Sequence, residues 1–228
     1  MFDSRIRRGA VPVSNESAEH VIVVHGIWMR GIAMLPLARR LRSAGFSVET
    51  FDYRSVTGEW NGSLERLRER WRQQSAGRVH VVGHSLGGML ALDLATQDAD
   101  LPAGRIVCLG SPLRGSTAAS RLQGLPGGRL LMGKSASILH EGLQAWNGAR
   151  DVGVIAGSTP IGLGALIAPL ERPHDGTVSV AETRLPGVSD HCVVECTHTG
   201  LLFSAEVASL AAGFLRSGRF AADEGAGQ

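Results

Sequence analysis

Residues 79–95 read Val79-His80-Val81-Val82-Gly83-His84-Ser85-Leu86-Gly87-Gly88-Met89-Leu90-Ala91-Leu92-Asp93-Leu94-Ala95. An apolar, β-branched run leads into Gly83-His84-Ser85-Leu86-Gly87, and a helix-forming run follows it. A G-x-S-x-G pentapeptide between a strand and a helix is a nucleophile elbow, a turn so tight that its central residue is held in a strained backbone conformation. Gly83 and Gly87 suit the flanks because a side chain at either place would collide with the neighbouring strand or helix. The strain lifts Ser85 Oγ clear of the sheet, and the Leu86 N–H points into the same space at the helix start. In a chain with 30 glycines the pentapeptide alone carries little. Its surroundings decide its meaning.

Those surroundings alternate strand and helix, the pattern of a mostly parallel sheet of about six strands with helices on both faces. The strands are expected at 20–24, 47–53, 78–82, 105–110, 152–156 and 191–196, apolar throughout as befits burial on both sides. The helices are expected at 31–44, 63–75, 86–97 and 201–216; the second carries Leu64, Leu67 and Trp71 on one stripe. Two stretches break the alternation. Residues 115–150, glycine-rich with a leucine cluster, read as a lid-like insertion, and Ile161 to Leu170 reads as a flap or, preferably, a segment packed on the sheet. Both follow strands and so emerge at the carboxyl edge of the sheet, where sites in open α/β sheets form. Residues 217–228 read as a frayed tail.

The bulk numbers narrow the function classes. A length of 228 residues suits one domain spanning 1–228, and a net charge of +2 gives no reason to expect nucleic acid as a partner. Lys134 is the only lysine, and the arginines interleaved with helix-periodic apolar positions read as solvated helix faces. No window holds the ~18 apolar residues of a membrane span, and residues 1–19 lack a continuous apolar core for a signal peptide. A cytoplasmic protein is therefore expected. Cys108, Cys192 and Cys196 form an odd set without metal-ligand spacing and are expected as reduced thiols, although a bridge from Cys108 to either partner stays open.

Distance along the strands selects the partners of Ser85. His191 and His198 stand at opposite ends of the last strand, ~23 Å apart when extended. Only His198 falls at the carboxyl edge; His191 reads as a surface histidine at the strand start. Among the acids, Asp151 and Asp190 begin strands at the wrong edge, whereas Asp175 sits in a loop before the last strand with Gly176 to turn it. Glu171 is its weaker rival. In the order Ser, acid, His, the expected roles are nucleophile for Ser85, base for His198 and orienting carboxylate for Asp175. The oxyanion donors are expected to be the N–H groups of Leu86 and of Ile27, in Val23-Val24-His25-Gly26-Ile27-Trp28. Each of the three has a structural alternative: a turn serine, a turn aspartate, a histidine at a helix start. His25 and His84, the latter expected to face away from Ser85, read as structural hydrogen-bonding residues. Trp28, Met29, Leu113, Leu201 and Leu202 adjoin these segments and line an acyl pocket or belong to the core.

His25-Gly26-Ile27-Trp28, Gly83-His84-Ser85-Leu86-Gly87-Gly88, the segment Gly110-Ser111-Pro112-Leu113-Arg114-Gly115-Ser116, Asp175-Gly176-Thr177-Val178 and the late His198 together resemble the bacterial lipase and esterase branch of the α/β-hydrolase superfamily. The resemblance covers about His20 to Arg216. It implies a compact α/β-hydrolase fold with a reduced lid, and an oxyanion donor directly after His-Gly, hence Ile27. It implies hydrolysis of a small-molecule ester with an apolar acyl group, without a cofactor, and transient contact with a lipid surface. Secreted relatives often carry a calcium-binding aspartate two residues past the catalytic histidine; Gly200 stands there, so no metal is expected. A thioesterase or acyltransferase with the same triad, and a non-catalytic small-ligand binder, are the alternatives.

Overall fold

The computed structural model describes residues 19–220; the expectations for a signal peptide and for the end of the tail at 221–228 lie outside them. Six strands, β1 (Glu19–Val24), β2 (Ser47–Phe51), β3 (Arg78–His84), β4 (Ile106–Leu109), β5 (Val152–Gly157) and β6 (Asp190–Val194), form one sheet in the order β2-β1-β3-β4-β5-β6. Every neighbouring pair is parallel. After β2 the chain crosses β1 to enter the sheet again at β3, so the connections diverge between β1 and β3. A crevice opens at the carboxyl ends of strands at such a switch point.

The alternation of side chains on each strand builds two cores. Ile22, Val24, Val79, Val81, Ile106 and Cys108 face one way, under α2 (Trp60–Arg72) and α3 (Leu86–Gln97). Val21, Val23, Val82, Val107 and Leu109 face the other way, under α1 (Leu35–Ser43) and α9 (Ala205–Ser217). Leu64, Leu67 and Trp71 bury the stripe expected of α2. Helix α3 is buried nearly all round, as a helix apolar on every side must be.

The boundaries differ where local chemistry intervenes. The first helical stretch starts as a 3-10 turn at Gly31–Met34 and becomes α-helical only at Leu35, with Pro36 in its first turn. The last expected helix is divided: a 3-10 turn at Gly200–Leu202 is followed by α9, whose N-cap Ser204 accepts the Val207 N–H (3.2 Å). Strand pairing of β2 stops at Phe51 and of β6 at Val194, short of Tyr53 and Cys196. Residues 218–220 are not a frayed tail. Gly218 caps α9 in the left-handed region, and the Phe220 ring packs 4.9 Å from Phe214. No helix among the described residues is long and apolar enough to cross a membrane. All three cysteines are unbridged.

Candidate active site

Residue 85 carries the backbone strain that the pentapeptide demands, at φ 53° and ψ −122°, and precedes the first turn of α3. A Cβ on Gly83 would sit inside the first turn of α3, and one on Gly87 inside the carbonyls of Val24 and His25. The strand, the helix and the loop after β1 thus meet at the elbow with no room for side chains at its flanks. Ser85 is nearly buried and lines a cavity of about 400 Å³, whose wall also includes Ile27, Trp28, Met29 and His198. The N–H groups of Ile27 and Leu86 make no hydrogen bond among the described residues. Leu86 stands at the first position of α3, where an N–H has no intrahelical acceptor.

Asp175 and His198 come together. His198 Nδ1 lies 2.7 Å from Asp175 Oδ2, with Asp175 fully buried. Asp175 Oδ1 accepts the Thr177 and Val178 N–H groups (2.9 and 2.7 Å), so the carboxylate is held on both oxygens. A proton on Nδ1 donated to the carboxylate leaves Nε2 as the lone-pair nitrogen. The His198 backbone is pinned as well: its N–H donates to the Asp175 carbonyl (2.8 Å), and its carbonyl accepts from His84 Nε2 (3.0 Å). Ser85 Oγ makes no hydrogen bond to His198; the two share the cavity wall, and such contacts often tighten only around a substrate. Glu171 is exposed and takes no part.

His84 does not face away from the site. Its ring packs 4.7 Å from that of His198, and burial, with His198 beside it, pushes its pKa down to about 3. It is a neutral, structural hydrogen-bonding residue, but on the site side of the elbow. His25 also has a structural role. Its Nδ1–H donates to the Gly26 carbonyl (2.8 Å), its Nε2 accepts the Tyr53 N–H (3.2 Å), and its ring stacks on Tyr53 at 4.5 Å. Burial lowers its pKa, which keeps Nε2 free to accept. His191 is half-buried rather than on the surface, paired with Thr183 Oγ1 at 2.8 Å.

Several neighbours escaped the sequence reading. Asp52 Oδ1 accepts the Gly31 N–H (2.7 Å), while Arg30 binds both carboxylate oxygens, so the end of β2 anchors the loop that carries Ile27. The only sequence signal was a polar pair, Asp52-Tyr53, directly after an apolar run. The insertion supplies α4 (Thr117–Gln123), α5 (Gly128–Met132) and α6 (Ala136–Glu141), and Ala119, Leu122, Met132 and Leu139 from these helices line the cavity. Ser116 caps α4 by accepting the Ala119 N–H (3.1 Å), so the segment Ser111-Pro112-Leu113-Arg114-Gly115-Ser116 leads directly into the helices of the insertion.

Leu113 and Leu201, in contrast, are fully buried in the two cores and do not line the cavity, because each side chain turns toward the sheet. Leu202 is core as well. The stretch from Ile161 does not pack on the sheet either. The Ala165 N–H donates to the Gly176 carbonyl (2.9 Å), so this stretch, with its helix α7 (Leu163–Ile167), lies against the Asp175 loop, and Ile161 and Ile167 face the cavity. The glycines at 162 and 164 allow that approach, since a Cβ at either would meet the backbone of Gly176 and Thr177.

A larger, more open recess of about 690 Å³ lies at the opposite edge of the sheet. Arg105 and Arg150 there are spent on carbonyls and on Asp151, Arg78 faces Glu19, and neither Ser85, Asp175 nor His198 borders it. Among the described residues no group of three His, Cys, Asp or Glu side chains is placed to hold a metal ion.

Parallel sheet, elbow serine and a buried Asp–His pair beyond the carboxyl ends of the strands define the architecture of the α/β hydrolases, and the chain belongs to the alpha/beta hydrolase family: the family profile matches residues 21–223. No curated protein matches it. Among solved structures it is similar to the lipase BlEst2 of Bacillus licheniformis in its mature form, with TM-score 0.65, 16% identity, and coverage of 84% of this chain and 89% of that one. A lipase-esterase related protein from Clostridium acetobutylicum aligns with TM-score 0.55 and 16% identity over 88% of this chain and 96% of that one. The Vlm2 thioesterase domain, solved with a bound dodecadepsipeptide, aligns with TM-score 0.59 and 14% identity over 88% and 94%.

Proposed function

We propose that the chain is a carboxylic ester hydrolase acting on esters with an apolar acyl group, with Ser85 as nucleophile, His198 as base and Asp175 as its orienting partner. The observation that carries this reading is the 2.7 Å contact of His198 Nδ1 with a fully buried, doubly held Asp175, on the wall of the cavity that Ser85 also lines. Ser85 Oγ attacks the acyl carbonyl carbon as its proton passes to His198 Nε2. The developing oxyanion is met by the free N–H groups of Ile27 and Leu86, each such donor being worth ~3–4 kcal/mol. The ester C–O bond then breaks, the alcohol leaves with the proton from His198, and the acyl group stays on Ser85. Water repeats the sequence: it attacks the acyl carbon, gives its proton to His198, and releases the acid as that proton returns to Ser85. The exposed side chains of Trp28 and Ile161 at the cavity wall suit a substrate that arrives with an apolar surface, a lipid included.

Ser85→Ala is expected to abolish hydrolysis of p-nitrophenyl butyrate and labelling by a fluorophosphonate probe while leaving the circular dichroism spectrum unchanged. Turnover that persists in the variant defeats the assignment. A thioesterase is the second reading, favoured by the likeness to the Vlm2 domain. The same acyl-enzyme would form from a thioester, and paired kcat/KM values on an acyl thioester and its oxyester separate the two.

A further inference from the structure

Four side chains of the insertion form the buried end, or floor, of the cavity. Ala119 and Leu122 lie three residues apart on one face of α4, and with Met132 and Leu139 they are buried in the core under the cavity, while Trp28 and Ile161 at the same wall are exposed. The space therefore runs from an exposed rim, past Ser85, down to aliphatic side chains. The four side chains of that floor, Ala119, Leu122, Met132 and Leu139, carry no N–H or O–H donor and no oxygen acceptor to receive a polar acyl chain. Burying a hydroxylated or charged chain there would leave its polar groups unpaired.

From this geometry we infer that the protein selects medium-length apolar acyl groups, with Ala119 and Leu122 as the residues that set the length. A 150 Å³ apolar cavity holds one benzene, so by proportion about 400 Å³ holds roughly sixteen carbon-sized atoms. The ester group and the leaving alcohol occupy the upper part beside Ser85, which leaves room for an acyl chain of about eight carbons. At Ala119 a larger side chain would rise into the floor and shorten it; at Leu122 a smaller one would deepen it.

The inference rests on the ester-hydrolase reading, and the experiment keeps the two apart. Wild type, Ala119→Phe and Leu122→Ala are assayed on p-nitrophenyl esters from acetate to palmitate, with circular dichroism as the control for folding. Wild-type kcat/KM is expected to peak near octanoate. Ala119→Phe should lower the octanoate-to-acetate ratio of kcat/KM at least tenfold, and Leu122→Ala should move the peak to longer chains. Ratios unchanged in both folded variants, or a wild-type preference for acetate, overturn the inference and leave the hydrolase reading standing. Should Ala119→Phe fail to fold, the direction of the shift in Leu122→Ala decides alone. If no ester is turned over and Ser85 takes no fluorophosphonate, the hydrolase reading falls. Calorimetric titration with octanoic acid then judges the floor: binding weakened at least tenfold by Ala119→Phe sustains it, and no binding to wild type refutes it.

Discussion

Asp175 and His198 sit under a glycine that leaves them just enough room. Gly110 adopts φ 54°, and a Cβ there would stand 3.0 Å from Asp175 Oδ2 and 3.1 Å from His198 Nδ1. An alanine would add a left-handed backbone penalty of roughly 1–2 kcal/mol and press on the pair itself. Gly110→Ala is therefore expected to lower the melting temperature and to cut kcat about 100-fold or more; a drop in melting temperature with kcat intact would show that the pair tolerates the methyl group. Asp175→Asn probes the same pair by chemistry rather than shape. The amide no longer fixes the proton on His198 Nδ1, so kcat should fall ~10³–10⁴-fold with little change in KM. A loss below tenfold would move the orienting role elsewhere.

At the scale of elements, the site depends on how strand ends hold loops. The end of β2 reaches under the loop after β1 through Asp52, which takes the Gly31 N–H and the Arg30 guanidinium, and Tyr53, whose hydroxyl donates to the His25 carbonyl (3.1 Å). That cradle holds the loop that carries Ile27, the proposed second oxyanion donor. Asp52→Ala is expected to lower kcat about ten- to a hundredfold, less than the loss of a donor itself, with KM nearly unchanged; an effect carried wholly by KM would assign Asp52 to substrate binding. The Asp175 loop is held in a comparable way. Ser179 caps α8 (Val180–Thr183) with a reciprocal capping box, and Glu182 of that box also accepts the Thr117 N–H (2.6 Å) at the start of α4. One carboxylate thus ties the loop of the acid to the floor of the cavity.

Across the whole molecule, burial of histidines links stability to acid. Burial pushes His84 down to about 3 and His80 down to about 4, from an ordinary value of 6.5. Between those values the unfolded chain binds protons that the folded chain refuses, so this part of the stability is present above about pH 6.5 and is lost as pH falls toward 4. Each such histidine contributes a slope of about 1.4 kcal/mol per pH unit inside that window. Melting temperature should fall steadily from pH 6.5 to pH 4.5, and His80→Asn should make the decline shallower. An equal slope in the variant would shift the cause to the carboxylates.

The elbow at Ser85, the alternation of strands and helices, and the approach of Asp175 to His198 were legible in the amino-acid sequence, because each rests on local rules. A strained turn needs glycine beside it, buried parallel strands need continuous apolar runs, and strand length decides which end of β6 holds His198. Leu113, Leu201, Asp52 and the floor residues of α4 obey no such rule. Whether a leucine beside a reactive segment turns to the cavity or to the core depends on which distant element covers it. The reach of Asp52 from β2 to Gly31 is likewise set by the pairing of two strands, and the contact of the segment after Ile161 with the Asp175 loop by two glycines meeting a backbone far away in number. The amino-acid sequence by itself determined which residues gather at the carboxyl edge; the tertiary structure alone decided the shape of the space around them, since packing between remote segments leaves no periodicity to read.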